Sequence, residues 1–437
     1  MWTPALATAA IVTLGSSAAT APNPARSVLL TDAVQSHGAR CLDGSPQRFW
    51  LQESQSTNPV NRSKWYFHLM GGGACVGMEA CTSRAYDPSQ CYRGSSSVAC
   101  FNNNSDREPG KPFEEEMDFL DVPCINGARW GGGLLMQSPI SNPLTHDWNK
   151  IEMQYCDGNS YAGNQETVSN VSFGGRSNLP LYFRGKRNVD AVVDYLKEHH
   201  ALESATHFVL SGDSAGGIAA YWHADYFSRV LPKTKVLSVP DSGFFISYVD
   251  CANCTDKAVP NTEEAEWYAA INASAGLDQS CIATAKAAGV AWNTACLLPE
   301  KVAPHVSTPL FVMNSRFDAA NSVKPSTDAN FNAHGSFQLD VMRKTVFADK
   351  KNAGFVTSCH EHCGQWATGQ VEKALPGAWM GHSDYNVTIR GVTAGPAVDE
   401  WAKASWEGHA LLESERVRVQ AAHFPCESCC NGGDPQR

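Results

Sequence analysis

Positive charge and long apolar runs are both scarce in this 437-residue chain. Charged residues make up 18% of it and the formal net charge is −10. Nucleic acid and anionic membrane surfaces both require a cationic face, so neither is expected as the main partner. The apolar run at residues 5–14 is too short to span a bilayer comfortably, and no later segment is long and apolar enough to do so. No integral membrane segment is therefore expected. The polar C-terminal stretch carries no lipid-anchor pattern. Internal repeats are absent, and no long Pro, Gly or Ser linker divides the chain.

Cysteine, by contrast, is plentiful. The sequence holds 16, the first at Cys41, an even number that reads as up to eight disulfides in an exported protein. Residues 1–21 fit a signal peptide: the apolar run is followed by Ala19-Thr20-Ala21, a small-x-small cleavage pattern before Pro22, although no Lys or Arg precedes it. Six Asn-x-Ser/Thr sequons, at Asn61, Asn103, Asn170, Asn253, Asn272 and Asn386, suit the same route. The expected location is extracellular, in a cell-wall or apoplast-like space. Hydrophobic residues at 43% supply a large core.

Strand and helix patterns alternate along the remainder. Residues 48–52 have β character, and the run at 64–70 stops at Gly71-Gly72-Gly73, as a buried strand does on entering a tight loop. Further strands are predicted at 150–156, 207–211, 235–239 and 309–314, with helices at 188–197 and 214–229. This is the signature of an α/β fold with a mostly parallel central sheet flanked by helices. Residues 22–437 are read as a single domain with insertions near 75–135 and 250–300; the first is rich in Cys, Asn, Gly and Ser, the second in Ala and Cys.

The densest chemical signal is Gly212-Asp-Ser-Ala-Gly-Gly217, between an apolar strand and a helix. A hydroxyl is a poor nucleophile unless it is exposed, beside a base, with oxyanion donors already in place. Small residues around Ser214 permit the sharp elbow that provides this, and the Ala215 N–H then faces the developing negative charge. The glycines of His68-Leu-Met-Gly-Gly-Gly-Ala-Cys75 suit a second set of backbone donors. Asp318, on the loop after the strand at 309–314, is the candidate acid, with Asp241 as its competitor. For the base, His360, His362 and His382 all remain open on pattern alone. The cluster Cys359-His-Glu-His-Cys363 also admits a zinc site, but in a cysteine-rich exported chain Cys359 and Cys363 are expected in disulfides.

At these residues the chain resembles the pectin acetylesterase family, which includes the Notum-type carboxylesterases. The similarity is carried by His68 to Cys75, Asp147-Trp-Asn-Lys, Tyr155-Cys-Asp-Gly158, Leu181-Tyr-Phe-Arg-Gly185, Ser211 to Gly217, residues 309–318 and Ser358-Cys-x-x-His-Cys363. It extends over roughly residues 30–405. The resemblance implies an α/β-hydrolase-like fold and a serine esterase needing neither metal nor cofactor. It makes Ser214 the nucleophile, Asp318 the acid, His362 the base, and the amides of Gly72, Gly73 and Ala215 the oxyanion donors. The substrate it implies is an O-acetyl ester on a pectin-like polysaccharide, with a longer acyl chain on a protein or lipid as the alternative; a monomer is expected. The chain departs from the family where many relatives have Glu at Met70, an aromatic residue near Gly73 or Ala74, and Cys at Asp213.

Overall fold

The computed structural model describes residues 24–102, 116–117, 133–135, 139, 142–254, 262–318, 320, 327–363 and 387–426. The segment read as a signal peptide, much of the stretch read as a first insertion, His382, and the sequons at Asn103 and Asn386 lie outside the described residues.

Among the described residues the frame is a ten-stranded sheet and a separate two-stranded one. In chain order the strands are β1 (Ala25–Leu29), β2 (Arg48–Gln52), β3 (Lys64–Leu69), β4 (Glu116–Met117), β5 (Asn149–Met153), β6 (Ser169–Phe173), β7 (Arg176–Leu181), β8 (His207–Asp213), β9 (Lys235–Asp241), β10 (Phe311–Ser315), β11 (Ala353–Thr357) and β12 (Val417–Val419). The large sheet runs β12-β11-β10-β9-β8-β3-β5-β2-β1-β4. Every pairing from β5 through β3 and on to β12 is parallel, while β2, β1 and β4 add an antiparallel side. Burial of both faces explains why the central strands read as near-continuous apolar runs.

The helices obey the same logic. Gly185–His200 buries Val189, Val192, Val193 and Leu196, one stripe at helical spacing. Ala215–Val230 is buried almost all round, as a helix packed between the sheet and other elements must be. Beneath its junction with β8, the rings of Phe67, Phe208 and Phe227 lie with centroids 4.8–6.1 Å apart. Each such pair contributes about 0.5–1.5 kcal/mol beyond its buried area, so the angle between strand and helix is firmly held.

Disulfides close the loops. Among the described residues they join Cys41–Cys156, Cys75–Cys81, Cys91–Cys100, Cys251–Cys254 and Cys281–Cys296; Cys359 and Cys426 are disulfide-bonded too. Cys363 departs from expectation: its Sγ turns to the Asp213 carboxylate, 3.8 Å from Oδ2. The stretch read as a second insertion holds helices at Thr262–Ala270 and Gln279–Ala287. No helix among the described residues is long and apolar enough to cross a membrane.

Candidate active site

Because β8, β9, β10 and β11 are neighbours and parallel, the residues after each leave the sheet at one edge. Ser214, Ser242, Asp318 and the 358–363 loop converge there.

Ser214 is the N-cap of the helix Ala215–Val230, with φ 54° and ψ −117°. A side chain at positive φ costs about 1–3 kcal/mol, and the surroundings impose it. Ser214 N donates to Asp241 O at 3.0 Å, and Ile218 N returns to Ser214 O at 2.9 Å. Gly216 passes so near β3 that a Cβ there would overlap Leu69 O. Ser214 is half-buried while Asp213 and Ala215 are buried, so its hydroxyl alone is presented. Ala215 heads the helix, where first-turn N–H groups have no intrahelical acceptor.

The glycine loop rises against this elbow. A Cβ on Gly71 would stand 2.9 Å from Ser214 Cβ, and Gly73 has φ +66°. Its carbonyls are fastened from the other side. Tyr161 Oη donates to Met70 O at 3.0 Å, and Tyr155 Oη to Gly73 O at 2.8 Å. One guanidinium nitrogen of Arg84 donates to Gly72 O at 3.0 Å and Gly73 O at 2.6 Å. Below them, Asp157 Oδ2 accepts the amides of Asn159 and Tyr161 at 3.2 and 3.0 Å. Burial pushes the Asp157 carboxyl up to about 7 despite those bonds. At the loop's entrance Asp213 Oδ1 accepts from Gly71 N at 3.1 Å and from His68 Nε2 at 2.9 Å.

Asp318 and His362 are both buried, and the histidine Nδ1–H donates to Asp318 Oδ1 at 2.7 Å. Burial alone would lower the imidazole pKa, but Asp318's charge and hydrogen bond, with Asp213 and Asp241 farther off, outweigh it, so the pKa is raised. Asp241, the competitor, instead accepts from Ser242 Oγ at 2.9 Å. That Ser242 oxygen also accepts Cys363 N at 2.8 Å, anchoring the histidine loop, while Ser315 Oγ holds Cys359 O. His360 is exposed, in edge contact with Phe331 and Phe424. The Phe245 ring stands edge-on to His362 with centroids 6.1 Å apart. Cys363 Sγ and Asp213 Oδ2, on residues next to His362 and Ser214, bring the two loops into contact.

Among the described residues no group of three or more His, Cys, Asp or Glu side chains is arranged to hold a metal. The Cys/His cluster is divided between a disulfide at Cys359, the carboxylate partner of His362 and an exposed His360. Ser214, Ala215, Asp318, His362, Gly72 and Gly73 sit at this edge of the sheet, whereas of the alternatives raised from sequence Asp241 is bonded to Ser242, His360 is exposed and His382 lies outside the described residues. Sequence reasoning missed the bracing set, Arg84, Tyr161 and the His68–Asp213 pair. Tyr155 and Asp157 were visible only as parts of a motif with no role attached.

Comparison with known proteins agrees with this architecture. The profile of the family described as Pectinacetylesterase matches residues 19–107 and 126–431. Pectin acetylesterase 11 of Arabidopsis thaliana is 28% identical over 403 residues, 86% of this chain and 88% of its own. A palmitoleoyl-protein carboxylesterase NOTUM from Schmidtea mediterranea is 25% identical over 339 residues, 75% of this chain and 56% of its own. Among solved structures, that of the Wnt deacylase Notum from Drosophila superposes with a TM-score of 0.66 at 19% identity, covering 94% of this chain and 99% of that one. It establishes the α/β-hydrolase-like fold.

Proposed function

From the premise that the chain belongs to the pectinacetylesterase family, and so to the carboxylic ester hydrolases, we propose that it is an extracellular serine esterase that removes O-acetyl groups from a pectin-like polysaccharide. Ser214 is the nucleophile, His362 the base, Asp318 the acid, and the amides of Gly72, Gly73 and Ala215 the oxyanion donors.

What supports this reading most directly is the 2.7 Å bond between Asp318 and Nδ1 of His362. A carboxylate can only accept, so the proton sits on Nδ1 and the Nε2 lone pair is left to take a proton from Ser214. Ser214 Oγ then adds to the acetyl carbonyl, and the oxyanion settles among the backbone amides. Collapse expels the sugar oxygen, which leaves with the proton held by His362. The same imidazole deprotonates a water that attacks the acetyl-serine, releasing acetate and restoring Ser214. The five disulfide pairs named above are not needed for the chemistry, but the loops they close suit an oxidising, extracellular setting.

The test is acetate release from acetylated pectin, alongside hydrolysis of p-nitrophenyl acetate, by the wild-type chain and Ser214→Ala. Loss of triad function lowers kcat by about 10⁴–10⁶, and intact-mass measurement with slow substrates should find an acetyl group only on the wild-type protein. Turnover unchanged in Ser214→Ala would refute the mechanism. Butyryl, octanoyl and palmitoyl esters measured in parallel address the acyl group: a preference for long chains would replace the acetyl assignment.

A further inference from the structure

Arg84 has no part in the serine-esterase chemistry as outlined, yet its charge is buried within the site. It lies near the end of the helix Met78–Tyr86, which the Cys75–Cys81 disulfide ties back to the glycine loop. Only 9% of the residue is exposed, and desolvation lowers the guanidinium pKa from its ordinary value. Placing such a charge against a loop is unfavourable unless its donors are used, and here they are used on the carbonyls of Gly72 and Gly73.

In a trans peptide the N–H of one residue points opposite to the C=O of the residue before it. Fixing Gly72 O therefore fixes the direction of the Gly73 N–H, and fixing Gly73 O fixes the N–H of Ala74. Tyr155 Oη shares the second carbonyl and itself accepts Ser160 N at 3.0 Å. Met70 follows the same rule at the other end of the loop: Tyr161 holds its carbonyl, and the Gly71 N–H turns to Asp213. The Met70–Gly71, Gly72–Gly73 and Gly73–Ala74 peptide units are thus oriented from behind. The cation also polarises the units it touches, strengthening their N–H donors, as linked hydrogen bonds do at low dielectric. Glycines have no side chains to hold this shape, and without the clamp the loop would be free to flip its peptides.

We propose that Arg84, assisted by Tyr155, is a positioning residue that sets and polarises the Gly73 oxyanion amide by holding the carbonyls of Gly72 and Gly73 on either side of that residue. This rests on the assignment of that amide made above. It acts on the transition state and leaves ground-state substrate binding nearly unchanged.

The experiment compares wild type, Arg84→Gln, Arg84→Lys and Tyr155→Phe for kcat, KM, thermal unfolding, and affinity for phenylboronic acid, whose tetrahedral serine adduct places an oxygen among the amides. Removal of one oxyanion donor costs about 10²–10³ in kcat, so misaiming the loop in Arg84→Gln is expected to cost about 10–100-fold. KM should stay within about threefold, and boronate affinity should fall in step with kcat. Arg84→Lys keeps the charge and should recover part of both. If Arg84→Gln does not fold, Tyr155→Phe, which leaves Arg84 in place, decides: a loss of about 3–10-fold in kcat matched in boronate affinity is expected. An unchanged kcat in the folded variants, or a kcat loss with boronate affinity intact, would overturn the proposal. Ser214→Ala separates the two levels. Activity surviving in that variant removes the serine mechanism itself, whereas its loss beside unaffected Arg84 variants removes only the positioning role.

Discussion

His362 meets Asp318 through Nδ1 at 2.7 Å, with both side chains almost fully buried. The raised imidazole pKa has one consequence for activity and another for stability. To act as the proposed base His362 must be neutral, so the acid limb of kcat/KM should lie above the ordinary histidine value of 6.5. In Asp318→Asn the opposing charge disappears while burial remains, so the pKa falls and the limb moves to lower pH. The same substitution disturbs the tautomer, and kcat should drop by about 10⁴. For stability the sign is opposite to that for activity. The folded state holds the proton more tightly than the unfolded chain, so the pair stabilises fully below pH 6.5 and this contribution is lost as pH rises through the raised value. pH–rate profiles with p-nitrophenyl acetate check the first effect, and urea unfolding at several pH values the second.

The backbone at Ser214 makes a separate, non-catalytic prediction. At φ 54° and ψ −117° only glycine is unstrained. Ser214→Gly and Ser214→Ala should both be inactive, but the glycine variant should be the more stable. Strain relief of about 1–3 kcal/mol exceeds the glycine entropy cost of about 0.5–1 kcal/mol. Equilibrium denaturation reads the difference. A less stable glycine variant would mean that the elbow is not strained.

Glu361, between the two loop histidines, is a buried acid with Thr357 Oγ1 donating to it at 3.1 Å. Burial pushes its carboxyl up to about 8. The unfolded chain releases this proton near 4.5 and the folded state near 8, so stability falls as pH rises across that interval. Glu361→Gln removes the dependence. Its melting temperature should match or slightly trail the wild type at pH 4–5 and exceed it at pH 8–9. Differential scanning measurements across that range test this, and a constant offset between the two proteins would exclude the titration.

Ser214 was legible because its signal is local: an apolar strand, an elbow of small residues and a helix, all within about twenty residues. The β2 strand and the helix around 188–197 were legible for the same reason, through alternation and periodicity. The strand expected at 150–156 stops at Met153, because residues 154–158 leave the sheet to support the glycine loop. Strands β1 and β12 and the long helix Asp328–Thr345 were not singled out. β1 and β12 are short and lie towards the sheet margins, and the helix mixes Asn, His, Gly and Gln into its buried face. Arg84 was invisible for a different reason. Its partners are backbone carbonyls, and an arginine that bonds to main chain leaves no pattern in neighbouring residue types. Choosing His362 over His360 likewise needed the family resemblance, since the two differ in which way the loop turns them.

Asp213 allows charge and hydrogen bonding to be separated. Its Oδ1 accepts both from the Gly71 amide that opens the glycine loop and from His68 Nε2. Tyr66 Oη, 3.0 Å from His68 Nδ1, extends the chain of bonds into the sheet. Asn keeps an oxygen in the same place, so Asp213→Asn can preserve the Gly71 bond while deleting the charge. Asp213→Ala removes the acceptor from two buried donors, each costing about 1–3 kcal/mol when left unmet. If the hydrogen bond to Gly71 is what matters, the Asn variant should keep kcat within about threefold, against about tenfold loss and lower stability for Ala. If the charge matters through His68, the two variants should fail alike. Urea denaturation with kcat on p-nitrophenyl acetate distinguishes these outcomes, and the 3.1 Å geometry at Gly71 favours the first.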